Sequence, residues 1–279
     1  MSTTTTFFQL PKAASQGFQN ASAYDTHRPS YPQEAVTSFL SALGLLGKRN
    51  AKILEIAAGT GKFTELLAAR EEGFKVTAVE PHGDMRAQLT AKRLSGVDVR
   101  DGHAGRLPVE DNEWADGYIA AQSLHWFANE KTVREAHRIL KSGQGLGAIW
   151  NIEDYNKPRN WKATTEWEEK LNSWIYSISS DGQPRFRDGQ WRGVFENQQL
   201  FTLPLGEETV KWTVWLSEEA LWSRINTLSQ VAILEGSDRE AAVKVFKEAL
   251  RSSDVERNEK EEIALHGVTY FVWTKKVDL

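Results

Sequence analysis

Ile53-Leu54-Glu55-Ile56-Ala57-Ala58-Gly59-Thr60-Gly61 is the stretch on which the fold turns. Its apolar half, interrupted by a single acid, has the length and composition of a buried strand, and the small residues after it form a loop ahead of a helix. From Ala57 to Gly61 no bulky side chain shields the main chain, so a flat ligand can lie against it. Roughly 20 residues farther on, Val76-Thr77-Ala78-Val79-Glu80-Pro81 is a second strand ending in an acid, the place from which a carboxylate reaches ribose hydroxyls in dinucleotide-type folds.

Outward from that stretch, strands near 52–57, 75–80, 97–101, 115–121 and 146–152 alternate with helices near 61–70, 83–94 and 130–141. This alternation predicts right-handed βαβ units and a largely parallel sheet. Asn129 is the expected N-cap of the third helix, and Gly143, after Leu140-Lys141-Ser142, its expected stop. Upstream, Pro29 and Pro32 hold an extended segment before a helix over 33–44 that buries Ala35, Val36, Phe39, Leu40 and Leu43. Residues 1–22, rich in Thr, Ser, Gln and Ala, read as a mobile arm.

The periodic signal ends near Glu153. Residues 153–205 read as an insertion over one end of the sheet, helical over 161–178, with turns at Asp181-Gly182 and Asp188-Gly189. Val210, Trp212 and Val214 alternate as in a strand, a helix follows from Glu218 to Leu234, and Ser237 with Glu240 form a capping-box pair for another to about 251. Ile263 to Lys275 is strand-like, with Val268, Tyr270 and Val272 on one face. The expected organisation is an arm (1–22), a nucleoside-binding core (23–152), and a cap that also completes the sheet (153–279).

Composition narrows the function classes. A net charge of −4 gives no general attraction for nucleic acid or anionic lipid, and no stretch reaches membrane-spanning length. With no cysteine, a thiolate nucleophile and a cysteine metal site are excluded, and the six histidines show no closely spaced ligand pair, so no metal is expected. The first residues carry no secretory pattern, which makes the cytoplasm the default location; a monomer is favoured. Ten of the eleven tryptophans follow residue 120, the pattern of an aromatic wall or of large core residues in the second half.

Three nucleotide readings compete for Gly59-Thr60-Gly61-Lys62. A P-loop needs glycine where Ile56 stands and Ser or Thr where Phe63 stands, so that reading fails. A dinucleotide fingerprint needs a third small residue where Thr64 stands, which disfavours NAD and FAD. The third is an S-adenosylmethionine loop. Glu55-Ile56-Ala57-Ala58-Gly59-Thr60-Gly61 resembles the acidic-x-Gly-x-Gly-x-Gly motif of class I methyltransferases, with Ala57 in place of the first glycine and therefore expected at negative φ.

Other landmarks of that family follow in order: Glu80, the segment Gly102-His103-Ala104-Gly105-Arg106-Leu107-Pro108, and Leu140-Lys141-Ser142-Gly143. Tyr24, Arg28-Pro29, Tyr31-Pro32 and His125-Trp126-Phe127 are similar to the small-molecule methyltransferases related to ubiquinone-biosynthesis and trans-aconitate enzymes. The resemblance implies an α/β Rossmann-like sheet, mostly parallel with an antiparallel C-terminal strand, and a helical, aromatic cap insertion. It implies cofactor contacts from Tyr24, Arg28, Glu55, Ala57, Gly59, Thr60, Gly61, Glu80, Pro81, Met85, His103, Ala104 and Gln122. His103 stands where the family has an acid facing the adenine amino group.

Methyl transfer from a sulfonium is an in-line displacement that needs alignment and exclusion of water rather than a covalent enzyme intermediate. His125 is the one candidate base, and His125, Trp126 and Phe127 are the candidate acceptor contacts. The overall pattern is similar to fungal members that methylate dithiols of the reduced gliotoxin type, and a cysteine-free chain cannot be trapped by exchange with such a substrate's disulfide. A carboxylate acceptor of the aconitate kind and a noncatalytic adenosyl-binding protein are the alternatives.

Overall fold

The structure, a computed structural model, describes residues 30–178 and 182–278. One sheet runs through it in the order β3-β2-β1-β4-β5-β7-β6, with β1 Lys52–Ile56, β2 Lys75–Val79, β3 Val97–Arg100, β4 Ala115–Ala121, β5 Leu140–Glu153, β6 Gly206–Leu216 and β7 Ile263–Lys275. Strands β1 to β5 pair in parallel, and β7 lies antiparallel between β5 and β6. This is the mostly parallel Rossmann-like sheet that the alternating pattern and the resemblance imply. The helices are α1 Gln33–Ala42, α2 Lys62–Ala68, α3 Gly83–Ala91, α4 Glu130–Ile139, α5 Glu166–Ser177, α6 Glu218–Ile225, α7 Ser229–Ala232 and α8 Gly236–Ala249.

Both faces of the sheet are covered, which is why its central strands are apolar on successive residues rather than alternately. On one face Val36, Phe39 and Leu40 of α1, Phe63 and Leu67 of α2 and Leu89 of α3 pack on Ile53, Val76, Ala78, Ile119 and Ile149. On the other, Val133, Ala136 and Ile139 of α4 pack on Leu54, Ile56, Val79, Tyr118 and Ala148. The i, i+3, i+6 spacing of those α4 residues makes one apolar face, and Asn129 caps the helix as expected, its side chain accepting from Thr132 N at 3.0 Å. Helix α1 approaches β5 so closely that a Cβ at Gly147 would stand 2.5 Å from the Phe39 ring.

The cap has its own core of Tyr155, Trp167, Leu171, Ile175, Leu221, Ile225, Val231, Phe246 and Leu265. A second aromatic group joins cap to sheet: Trp150 of β5 lies 4.9 Å from both Phe186 and Trp191, and Phe186 lies 5.5 Å from Tyr270 of β7.

Several local expectations give way to tertiary contacts. Helix α4 stops at Ile139, not at Gly143: Leu140 is extended and buried beside Ala115, so β5 starts six residues before 146 with Gly143 inside it at φ 69°. Helix α5 begins at Glu166 rather than 161, because Ala163 N and Thr164 N donate to Glu169 and Asp154 instead of closing a turn. The helix expected over 218–234 is two, since the Thr227 hydroxyl donates back to Arg224 O at 2.7 Å and Leu228 is extended. No capping box forms at Ser237; the first turn of α8 closes two residues earlier, through Arg239 N to Glu235 O. The arm, Tyr24 and Arg28 lie outside the described residues.

Candidate active site

Strand β1 is the point from which the chain winds both ways, to β2 and β3 on one side and to β4 and β5 on the other. Such a reversal opens a crevice at the carboxyl ends of the strands, where ligands of open α/β sheets settle. The loop between β1 and α2 lines it. Ala58 N donates to Val79 O at 3.1 Å, Gly59 N to Glu80 Oε2 at 2.7 Å and Gly61 N to Ala58 O at 3.0 Å.

To make these bonds the chain turns sharply straight out of β1, and Ala57 takes φ 51°. That corrects the negative φ expected for it; a methyl group tolerates the left-handed region at a cost of about 1–2 kcal/mol. Gln122, at the end of the neighbouring β4, is also left-handed at φ 58°, held by its N–H to Ile149 O and its Nε2 to Asn151 O. Two non-glycine residues in this region at adjacent strand ends mark an edge whose shape is enforced by its surroundings. Gly59 and Gly61 serve different ends. A Cβ at Gly59 would meet nothing nearer than Met85 Sδ at 3.8 Å, whereas one at Gly61 would strike Leu89 of α3 at 2.2 Å. Gly59 keeps the loop open, and Gly61 lets α2 and α3 pack.

Two carboxyl groups face this loop in different states. Glu55 is fully buried, and the Thr64 hydroxyl is the one polar side chain beside its carboxyl among the described residues, too poorly aligned to offset that burial. Burial pushes its carboxyl up to about 8, so at neutral pH it keeps its proton. Glu80 is buried but partnered, accepting from Gly59 N and His82 N, each at 2.7 Å. Burial raises its pKa, and the two backbone donors hold it back. Each oxygen retains a second lone pair for a ligand hydroxyl.

Beyond β3, His103 Nδ1 accepts from Gly105 N at 3.2 Å. Burial, then Lys131 and Arg106, lower its pKa, so the ring is neutral with its proton on Nε2, a donor where the family's acid would be an acceptor. The Ala104 methyl packs into the core. Arg86 donates to the carbonyls of Glu80 and Pro81, fixing the turn into α3.

After β4 a single 3-10 turn, Leu124–Trp126, carries His125. The Trp150 indole, which can only donate, gives its N–H to His125 Nδ1 at 3.2 Å. A neutral His125 therefore carries its proton on Nε2 and donates from that side. His125 and Trp126 line a cleft with Gln122, Asn151 and Ile152, while Phe127 packs against the core. The far wall of the cleft comes from the cap: Arg185, Phe186, Arg187, Thr227, Ser229 and Gln230. None of these six is a site residue that sequence reading finds, because they come from two segments about 40 residues apart with no motif linking them.

A family profile described as a methyltransferase domain matches residues 54–146, the span from β1 into β5. The chain is 32% identical over 199 residues to a protein of Mycobacterium tuberculosis described as an uncharacterized methyltransferase, covering 71% of this chain and 70% of that one. It is 34% identical over 172 residues to a methyltransferase-like protein of Schizosaccharomyces pombe, and spans 62% of that protein's length. Its fold is similar to the crystal structure of the YcgJ protein of Bacillus subtilis, with a TM-score of 0.56 at 16% identity over 89% of this chain and 100% of that one. The sheet order, the loop after β1 and these likenesses agree: the chain belongs to the class I S-adenosylmethionine-dependent methyltransferases.

Proposed function

We propose that this chain methylates a small molecule whose accepting atom ionises without a protein base, and that the preferred acceptor is a thiol or dithiol. The carrying observation is the bond from Trp150 to His125, which leaves a proton on the outer nitrogen of the one histidine beside the cleft among the described residues. A residue in that state orients and donates; it does not abstract. The acceptor must then ionise without help, and a thiol with a pKa near 8.5 does so appreciably.

The crevice fits the cofactor. The Glu55 carboxyl would release its proton beside the cationic amino-acid end, Glu80 has lone pairs for the ribose hydroxyls, and the main chain at Gly59 admits a flat nucleoside. His103 and Ala104 border the adenine, with His103 donating from Nε2. When bound, S-adenosylmethionine supplies a sulfonium methyl that is displaced onto the acceptor sulfur, the broken bond's electrons returning to the donor sulfur. Trp126 and Phe186 narrow the cleft, excluding water and offering aromatic faces to the cation.

A carboxylate acceptor is the second reading: the two guanidinium groups on the cleft wall can hold one carboxylate of a polyacid while another is methylated. Incubation with deuterated-methyl cofactor and a panel of dithiols, monothiols, carboxylic acids and phenols, read by mass spectrometry, separates them. The expected product is a deuteriomethyl thioether, with kcat/KM rising through the pKa of each thiol tested. Label on carboxylates alone gives the second reading, and a pH profile set by one group near 6–7 whatever the acceptor returns His125 to the role of base.

A further inference from the structure

Among the described residues that line the cleft, the charged side chains are Arg185 and Arg187, in a chain whose net charge is −4. Both guanidinium groups are held in place. Arg185 donates to Gln183 O at 3.2 Å and to the Ser229 hydroxyl at 3.4 Å. Arg187 donates to Asn156 Oδ1 at 2.7 Å and stacks on Tyr176 at 4.5 Å from the ring centre. A planar, pre-positioned fork is the group that suits a carboxylate or another oxyanion.

A second observation at the same wall is independent of these charges. Gln230 is 4% exposed, yet it lines the cleft, and its Nε2 is buried with no hydrogen-bond partner among the described residues. An unmade bond on a buried amide costs stability unless something arrives to accept it. A ligand oxygen in the cleft is such an acceptor.

We propose that Arg185, Arg187 and Gln230 form an anchoring subsite for an acidic group of the acceptor, distinct from the atom that is methylated. A carboxylate gripped by guanidinium and amide donors has its charge offset and its lone pairs engaged, so it is a poor nucleophile; the grip holds one end of the acceptor while another end reacts. The acceptor is therefore bifunctional, an oxyanion-bearing small molecule with a separate nucleophile. This inference rests on the cleft being the acceptor site of the methyltransferase.

The test uses the full chain saturated with S-adenosylhomocysteine for binding and with S-adenosylmethionine for turnover. Glutarate, which lacks a thiol, serves as the binding probe by ligand-observed NMR, and 3-mercaptopropionate and 3-mercaptopropanol serve as a matched acceptor pair. The expected results are glutarate binding and a preference for the acid over the alcohol of at least about tenfold in kcat/KM, carried by KM. Arg187→Gln, Arg185→Gln and Gln230→Leu should each erode both, Arg187→Lys should keep part of the preference, and S-adenosylhomocysteine affinity should stay unchanged in all four as the folding control.

Equal use of the acid and the alcohol by the wild type overturns the anchoring subsite while leaving thiol methylation standing. Glutarate binding that is lost in the arginine variants, with no thiol methylated, keeps the subsite and rejects the thiol reading. No glutarate binding, or binding indifferent to these substitutions, rejects the subsite.

Discussion

Glu55 shows how one residue links folding to ligand. It is fully buried, and burial outweighs the Thr64 hydroxyl beside it and raises its pKa from 4.5 to about 8. The unfolded chain loses this proton near pH 4.5 while the folded chain keeps it to about 8, so the contribution is fully present below 4.5 and falls away as pH rises toward 8, by about 1.4 kcal/mol per unit. Glu55→Gln, which carries no titrating proton, should melt at a temperature nearly flat from pH 5 to 8 where the wild type declines, and should bind S-adenosylhomocysteine more weakly. Parallel thermal melts across that range check the first part and calorimetry the second; a wild type as flat as the variant would mean that Glu55 is ionised in the folded protein. The sequence named Glu55, but nothing in it said that the side chain would be buried with so little to offset it.

At the level of elements, the sheet is pinned at the end remote from the crevice by Asp116 of β4. Its Oδ1 accepts from Lys48 at 2.9 Å and from Lys141 of β5 at 2.8 Å, and its Oδ2 from Lys52 N of β1 at 2.8 Å. Burial alone would raise this carboxyl; the bonds from Lys141, Lys52 and Lys48 outweigh it and hold it at about 2. The contribution is present above pH 3.8 and is lost as pH falls through about 2. Asp116→Ala should cost roughly 1–3 kcal/mol in urea denaturation at pH 7 and leave cofactor affinity unchanged, because the ties are far from the loop. The strands β1 to β4 stand within a residue of their expected positions, since a run buried on both faces is visible in composition. The ends of α4, α5 and α6 were not legible, because side chains distant in sequence decide which backbone groups leave the helix.

For the whole molecule, the crevice joins β1, β2 and β4 of the sheet, and the adjoining cleft is closed by the cap, so a ligand bridging them stabilises all of it. S-adenosylhomocysteine at 100 times its Kd should add about 2.7 kcal/mol to stability, read as a rise of several degrees in Tm. Gly59→Val, which places a branched side chain where the loop is open, should abolish that rise, whereas a normal shift in a folded variant would move the nucleoside elsewhere. The order of strands and helices, the small-residue loop after β1 and the two acids that face it were determined by the sequence alone, because apolar periodicity and missing side chains are local properties of the chain. The proton's place on His125, the left-handed turns at Ala57 and Gln122 and the arginine-lined wall of the cleft were decided only by the tertiary structure. Each of these depends on a partner far along the chain, Trp150 for His125, Val79 and Ile149 for the turns, and the cap for the wall, and no local pattern encodes such a meeting.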